Sequence, residues 1–197
     1  MKKILYVFLL CCISSVLFAQ TPSLPSLQEL AVQFGKVTTI QSRFTQENHL
    51  SLLTEPVTSE GKFVFQKNPS LLRWEYTKPF ENGFLLAEEK SYRLEKGQKK
   101  EVKGTLVSTI AFQMNTWLTL DINELKKKYN IAQAENKLVF TPLSEGIQTI
   151  SQITLYFTLE DLPRVTQIEL AEPTGDKTVL YFKDTVLNKE IPAENKK

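Results

Sequence analysis

Cysteine is the first scarcity in this chain. Of 197 residues only Cys11 and Cys12 carry a thiol. Both lie in an apolar run, Ile4 to Phe18, that follows the basic pair Lys2-Lys3. That run is too short to cross a bilayer comfortably and has the layout of a secretory signal, with Leu17-Phe18-Ala19 as the expected cleavage site. Lipid attachment at Cys11 is disfavoured, because no small residue precedes it and apolar residues still follow. Residues 1–19 are therefore read as a signal peptide, and 20–197 as a single exported, soluble domain. Such a domain has no thiol, so disulfides and thiolate metal sites are excluded.

Histidine is scarcer still: His49 is the only one. It sits in a polar stretch beside Asn48, with no adjoining acid evident to orient it, and a lone histidine is most often a surface residue. No Gly-x-Ser-x-Gly elbow accompanies it. P-loop, dinucleotide, EF-hand and zinc spacings are also missing. No catalytic set, metal or cofactor is expected. A carboxylate-pair hydrolase stays open, since sequence spacing does not give the separation of acids in space. Charge of one sign is lacking too. Removing Lys2 and Lys3 from the 24 basic residues leaves 22 against 22 acidic ones. A near-neutral domain without a basic cluster is a poor nucleic-acid binder.

What the chain does have is strand periodicity. In Gly61 to Pro79, Phe63 and Phe65 share one face of a first strand; Leu72, Trp74 and Tyr76 share one face of a second. Strand side chains alternate with period two, so five large apolar groups collect on one side of a hairpin, whose turn is Lys67-Asn68-Pro69-Ser70. Ile40, Ser42, Phe44 and Gln46 share a face of the preceding strand. Further strands are expected at 57–66, 84–87, 91–95, 99–102, 138–141, 150–159, 165–170 and 178–182. The tail from Asn188 is polar and is expected to fray.

Helical spacing appears in two places. Ser26-Leu27-Gln28-Glu29 fits a capping box, followed by Leu27, Leu30, Ala31 and Phe34 at helical spacing and a stop at Gly35. Between Thr105 and Leu118 a broad stripe includes Met114 and Trp117. Asp121 then caps a short piece ending in Lys126-Lys127-Lys128. About eleven antiparallel strands with two or three short helices make an α+β fold, a curved sheet that closes or nearly closes on itself. The aromatic face either fills a dry core or lines a cavity under the helices. Core is where such residues usually go. A cavity would suit an acyl chain, at about 0.8 kcal/mol per buried CH₂.

Three stretches carry a family resemblance. Val37 to Gln46, ending in Phe-Thr-Gln, resembles the segment after the first helix of LolA-type periplasmic lipoprotein carriers. Gly61-Lys62-Phe63-Val64-Phe65, Pro69, Leu72-Arg73-Trp74 and Pro79 look like that family's glycine, proline and tryptophan framework. Leu138-Val139-Phe140-Thr141-Pro142 and the long strand after it are similar as well. The resemblance covers most of the exported chain and implies an incomplete antiparallel barrel of the LolA/LolB kind, with a helical lid over a hydrophobic cavity. The implied role is to shuttle the acyl chains of lipoproteins from inner to outer membrane, as a monomer without catalysis. The implied partners are an inner-membrane transporter and an outer-membrane acceptor.

On this resemblance the cavity residues are Leu72 and Trp74 by position, with Phe44, Phe63, Phe65 and Tyr76 on the same inward face. Leu27, Leu30 and Phe34 form the inner side of the first lid helix; Met114 and Trp117 belong to the second by pattern. Two features depart from the family. The arginine that latches the lid, just before the turn proline, is here Asn68, which forms fewer and weaker hydrogen bonds. The chain also ends soon after Ile191, where well-known carriers continue into a further strand and loop. A carrier of another lipid or lipid-linked product is the alternative reading. From other classes, the carboxylate-pair hydrolase and a solid-core structural or protein-binding barrel remain.

Overall fold

The computed structural model describes residues 25–87, 90–102, 117, 120–143 and 149–196. Eleven strands form one antiparallel sheet in the order β6-β5-β4-β3-β2-β1-β11-β10-β9-β8-β7. They are β1 (Thr39–His49), β2 (Val57–Gln66), β3 (Leu71–Lys78), β4 (Asn82–Ala87), β5 (Lys90–Glu95) and β6 (Gln98–Glu101), then β7 (Tyr129–Ala134), β8 (Lys137–Pro142), β9 (Gln152–Leu159), β10 (Pro163–Ala171) and β11 (Lys177–Leu187). Two meanders are joined at the centre by β1 against β11, and the edge strands β6 and β7 do not pair. The sheet stays open, an incomplete barrel. Register shifts at Gln41/Arg43, Glu60/Gly61 and Val165/Gln167 mark bulges, which increase local twist and bend the sheet.

Helix α1 (Leu27–Gly35) begins where the capping box places it. The Ser26 hydroxyl accepts from the Glu29 amide at 3.2 Å, and Glu29 Oε2 accepts from the Ser26 amide at 2.7 Å. Gly35 is the last helical residue rather than the stop; Lys36 is the C-cap. Helix α2 (Ile122–Lys126) is capped by Asp121, as its spacing predicts. Buried Leu30 and Phe34 of α1 and Ile122 and Leu125 of α2 pack with Leu138, Phe140, Leu155 and Phe157 in one core beneath β7–β10.

Two further expectations are corrected. β7 was not foreseen as a strand. The tail from Asn188 does not fray. Asn188 adopts φ 54°, a left-handed conformation that asparagine tolerates better than most residues. Its side chain accepts from the Thr38 amide at 2.7 Å and donates to the Lys36 carbonyl at 3.0 Å. Beyond it, Thr39 Oγ1 and Gln41 Nε2 hold the carbonyls of Lys189 and Glu190. Ile191 is then buried among Val64, Leu71, Leu85 and Leu94. These residues alternate with the aromatic set along the strands, so the tail covers the opposite face of the sheet.

Candidate functional site

The concave face is built from paired strand positions. Phe63 lies opposite Trp74 and Phe65 opposite Leu72, while Gly61 sits between Phe44 and Tyr76. Having no side chain, Gly61 leaves room for the Phe44 ring, which stacks on Trp74 with centroids 4.2 Å apart. A Cβ at Gly61 would lie 2.3 Å from Phe44 Cζ and 2.2 Å from the Glu75 carbonyl oxygen. Tyr76 meets Phe44 edge-on at 5.4 Å, and Phe63 lies 5.5 Å from Trp74 and 6.3 Å from Phe182. Phe44, Phe63, Phe65, Leu72 and Trp74 form one buried cluster, with Ile40, Tyr76, Phe84, Leu86, Leu180 and Phe182 around it.

The residues expected to form one cavity separate into two groups. The hairpin and β1 residues come together as above. Leu27, Leu30 and Trp117 instead pack over β7–β10, where Trp117 meets Phe140 edge-on at 4.5 Å. Phe34 bridges the two. It touches Phe157 at 6.1 Å in the second group and shares a cleft with Phe63 of the first. Met114, and all of the 105–118 helix except Trp117, lie outside the described residues. Asn68 is exposed in the β2–β3 turn, and its side chain makes no hydrogen bond among the described residues.

The cleft between the groups holds about 430 Å³ of empty space, its solvent-open part included. The enclosed room within it is only about 30 Å³, well below the roughly 300–1,000 Å³ of formed small-molecule sites, so its walls must part to take a ligand. Its walls are Phe34, Val37, Ile40, Phe63, Pro163, Val165, Ile168, Phe182 and Leu187, with two hydroxyls, Ser42 and Thr185. Those hydroxyls lie 2.8 Å apart, and Ser42 Oγ is also 3.1 Å from the Lys183 carbonyl. Ile168 and Phe182 lie in strands that the sequence predicts at 165–170 and 178–182, without a face assigned to either. Thr185 and Leu187 were not legible, because β11 bulges at Asp184 (φ 54°) and the period-two count breaks there.

Further along the same face the side chains become polar. Tyr76 Oη donates to Gln46 Oε1 at 2.8 Å, Gln46 Nε2 donates to Asn48 Oδ1 at 3.0 Å, and Thr178 Oγ1 donates to the same oxygen at 3.0 Å. Burial pushes the Tyr76 hydroxyl above its ordinary value, so it remains a donor.

Charge gathers on the other face. A groove of about 710 Å³, again including its open part, is lined by Lys62, Arg73, Glu75, Glu81, Glu95 and Lys96 among others. Burial pushes the Glu75 carboxyl up, but hydrogen bonds and charge from Arg73 and Lys62 outweigh it and hold the group below its ordinary 4.5. Arg73 Nη2 donates to Glu75 Oε1 at 2.7 Å. A carboxylate-pair hydrolysis needs a protonated acid beside an ionised one, whereas the groups that bond Glu75 are the cations Arg73 and Lys62. His49 does have an acidic neighbour after all: Glu47, two residues earlier on the same strand face, puts Oε2 3.1 Å from its Nε2. No serine bonds that histidine among the described residues, and those residues contain no cluster of three metal-ligating side chains.

An open antiparallel sheet with an apolar concave cleft is the geometry implied by the resemblance. The family model for the outer membrane lipoprotein carrier protein LolA matches residues 35–195. The chain belongs to the LolA family. Among solved structures, MucB is similar over 87% of this LolA-family chain and 62% of its own, at 12% identity and a TM-score of 0.53. A LolA superfamily protein from Nitrosomonas europaea matches at 10% identity and TM-score 0.42, covering 87% of this chain and 97% of that one. Lipoprotein LppX from Mycobacterium tuberculosis matches at 11% identity and TM-score 0.47, covering 85% and 99%. Of these three, MucB alone is close enough to speak to a shared fold. No curated protein matches the chain.

Proposed function

We propose that this LolA-family chain is a periplasmic carrier that takes the acyl chains of lipoproteins onto its concave face and moves them from the inner to the outer membrane. Family membership and one structural observation support this reading. The observation is an apolar cleft between the aromatic cluster and α1, walled almost wholly by carbon and aromatic rings. Once the walls part to admit a chain, each CH₂ withdrawn from water contributes about 0.8 kcal/mol. No described helix is long and apolar enough to cross a membrane, so on this reading the chain meets its cargo from the aqueous side. An inner-membrane transporter would load it and an outer-membrane acceptor would unload it. Asn68 in the β2–β3 turn would set how readily a lid opens.

A fluorescent fatty-acyl probe titrated into the purified protein tests the reading. Saturable binding is expected. Trp74→Glu, which places a charge in the buried stack, abolishes it. Phe182→Asn, at a half-buried wall position that the fold tolerates better, weakens it by about tenfold or more, the equivalent of about 1.4 kcal/mol. Absence of saturable binding, or binding indifferent to both changes, refutes the carrier reading.

A further inference from the structure

The polar strip beside the aromatic cluster has an imbalance that indicates what it would bind. Asn48 Oδ1 receives two donors, Gln46 Nε2 and Thr178 Oγ1, each at 3.0 Å. A side-chain amide oxygen has two lone pairs, so that acceptor is filled, and the two N–H groups of the same amide must point the other way. Among the described residues nothing accepts from them. Gln46 in turn is oriented by Tyr76, whose hydroxyl occupies its carbonyl at 2.8 Å. Every bond in the chain therefore runs toward Asn48 Oδ1 and leaves Asn48 Nδ2 as an oriented donor that faces solvent and has no acceptor among the described residues. The Ser42–Thr185 pair differs, because Ser42 Oγ already meets both Thr185 and a backbone carbonyl.

The neighbours of the strip select the kind of acceptor. Thr178 is flanked by Leu170 and Asn48, Asn48 by Val57, and Gln46 by Leu180 and Ser59. None of these carries a charge, so the surroundings suit a neutral oxygen better than a phosphate. Asn48 and Ser42 lie on the same face of β1, six residues apart, about 20 Å at ~3.3 Å per residue. One acyl chain spans half of a ~30 Å hydrocarbon core, about 15 Å. A chain whose carbonyl sits at Asn48 would extend along this face toward the Ser42 cleft.

We propose that Asn48, held by Gln46, Tyr76 and Thr178, is the subsite that takes the carbonyl oxygen of an ester- or amide-linked acyl group. This rests on the carrier reading above. It adds that the protein selects acyl groups joined through a carbonyl over plain hydrocarbon chains.

The test is displacement of the fluorescent probe by two competitors of matching length, a long-chain methyl ester and a straight-chain alkane, which has no acceptor. The ester-to-alkane affinity ratio of the purified protein is expected to exceed that of Asn48→Leu, similar in size but without donors, by roughly five- to tenfold, the worth of one hydrogen bond. Should that variant fail to fold, Asn48→Asp keeps the contacts from Gln46 and Thr178, removes the donors and gives the same loss. Equal displacement by ester and alkane in the unmodified protein overturns the subsite while the carrier reading stands. A preference that survives both substitutions overturns it as well. A protein that binds neither the probe nor either competitor overturns the carrier reading and the subsite with it.

Discussion

Replacing Gly61 by alanine tests how the aromatic wall is assembled. The added Cβ would lie 2.2 Å from the Glu75 carbonyl oxygen and 2.3 Å from Phe44 Cζ. Neither distance is tolerable, so the ring must swing off or β2 must part from β3. Overpacking of this kind costs about 1–3 kcal/mol. Losing the Phe44–Trp74 stack, now at 4.2 Å, adds about 0.5–1.5 kcal/mol. The sum is on the order of 2–4 kcal/mol, which lowers Tm by roughly 4–16 °C in a chain of this size. Urea unfolding followed by tryptophan fluorescence measures it. The double variant Gly61→Ala with Phe44→Ala separates the two causes. With the ring removed the alanine meets only backbone, and its cost falls by about 1 kcal/mol or more. A cost for Gly61→Ala below about 0.5 kcal/mol, or strict additivity with Phe44→Ala, refutes the reasoning.

Two further outcomes follow from the opposite face. Ile191→Ala empties a pocket formed by Val64, Leu71, Leu85 and Leu94 and costs about 2–5 kcal/mol, with the tail becoming protease-sensitive; a tail as resistant as before contradicts the docking. Glu75 has a lowered folded-state pKa, so the unfolded chain binds its proton first. The stability Glu75 contributes is present above the ordinary 4.5 and is lost as pH falls from there through its lowered value. Glu75→Gln should flatten the loss of urea resistance across that acid window, and an unchanged slope would remove Glu75 from the account.

Much of the fold was legible because particular residues obey local rules. β2 begins and ends where alternation and turn residues place it, and Ser26 and Asp121 cap their helices through oxygens that their spacing exposes. β7 escaped because an edge strand reading Tyr-Asn-Ile-Ala-Gln-Ala alternates only weakly in hydropathy, with alanines outward. Ile191 looked like one apolar residue in a polar tail; its burial depends on a pocket made by four strands far away in the chain. For the site, period two brought Phe44, Phe63, Phe65, Leu72, Trp74 and Tyr76 to one face. It could not say which half of the sheet a helix would cover, so Leu27, Leu30 and Trp117 belong to the neighbouring core. Nor could it register the bulge at Asp184 that turns Thr185 and Leu187 into the cleft. The donor imbalance at Asn48 depends on β1, β3 and β11 meeting and has no signature in any one of them.

The central claim is that the concave face carries acylated cargo away from a membrane. The most direct measurement incubates the purified protein with inner-membrane vesicles bearing a triacylated lipoprotein and sediments the vesicles. The account predicts that the lipoprotein appears in the supernatant as a complex with the protein, and that Trp74→Glu leaves it in the pellet. A folded, unmodified protein that releases no acylated lipoprotein, with or without added ATP, would contradict it.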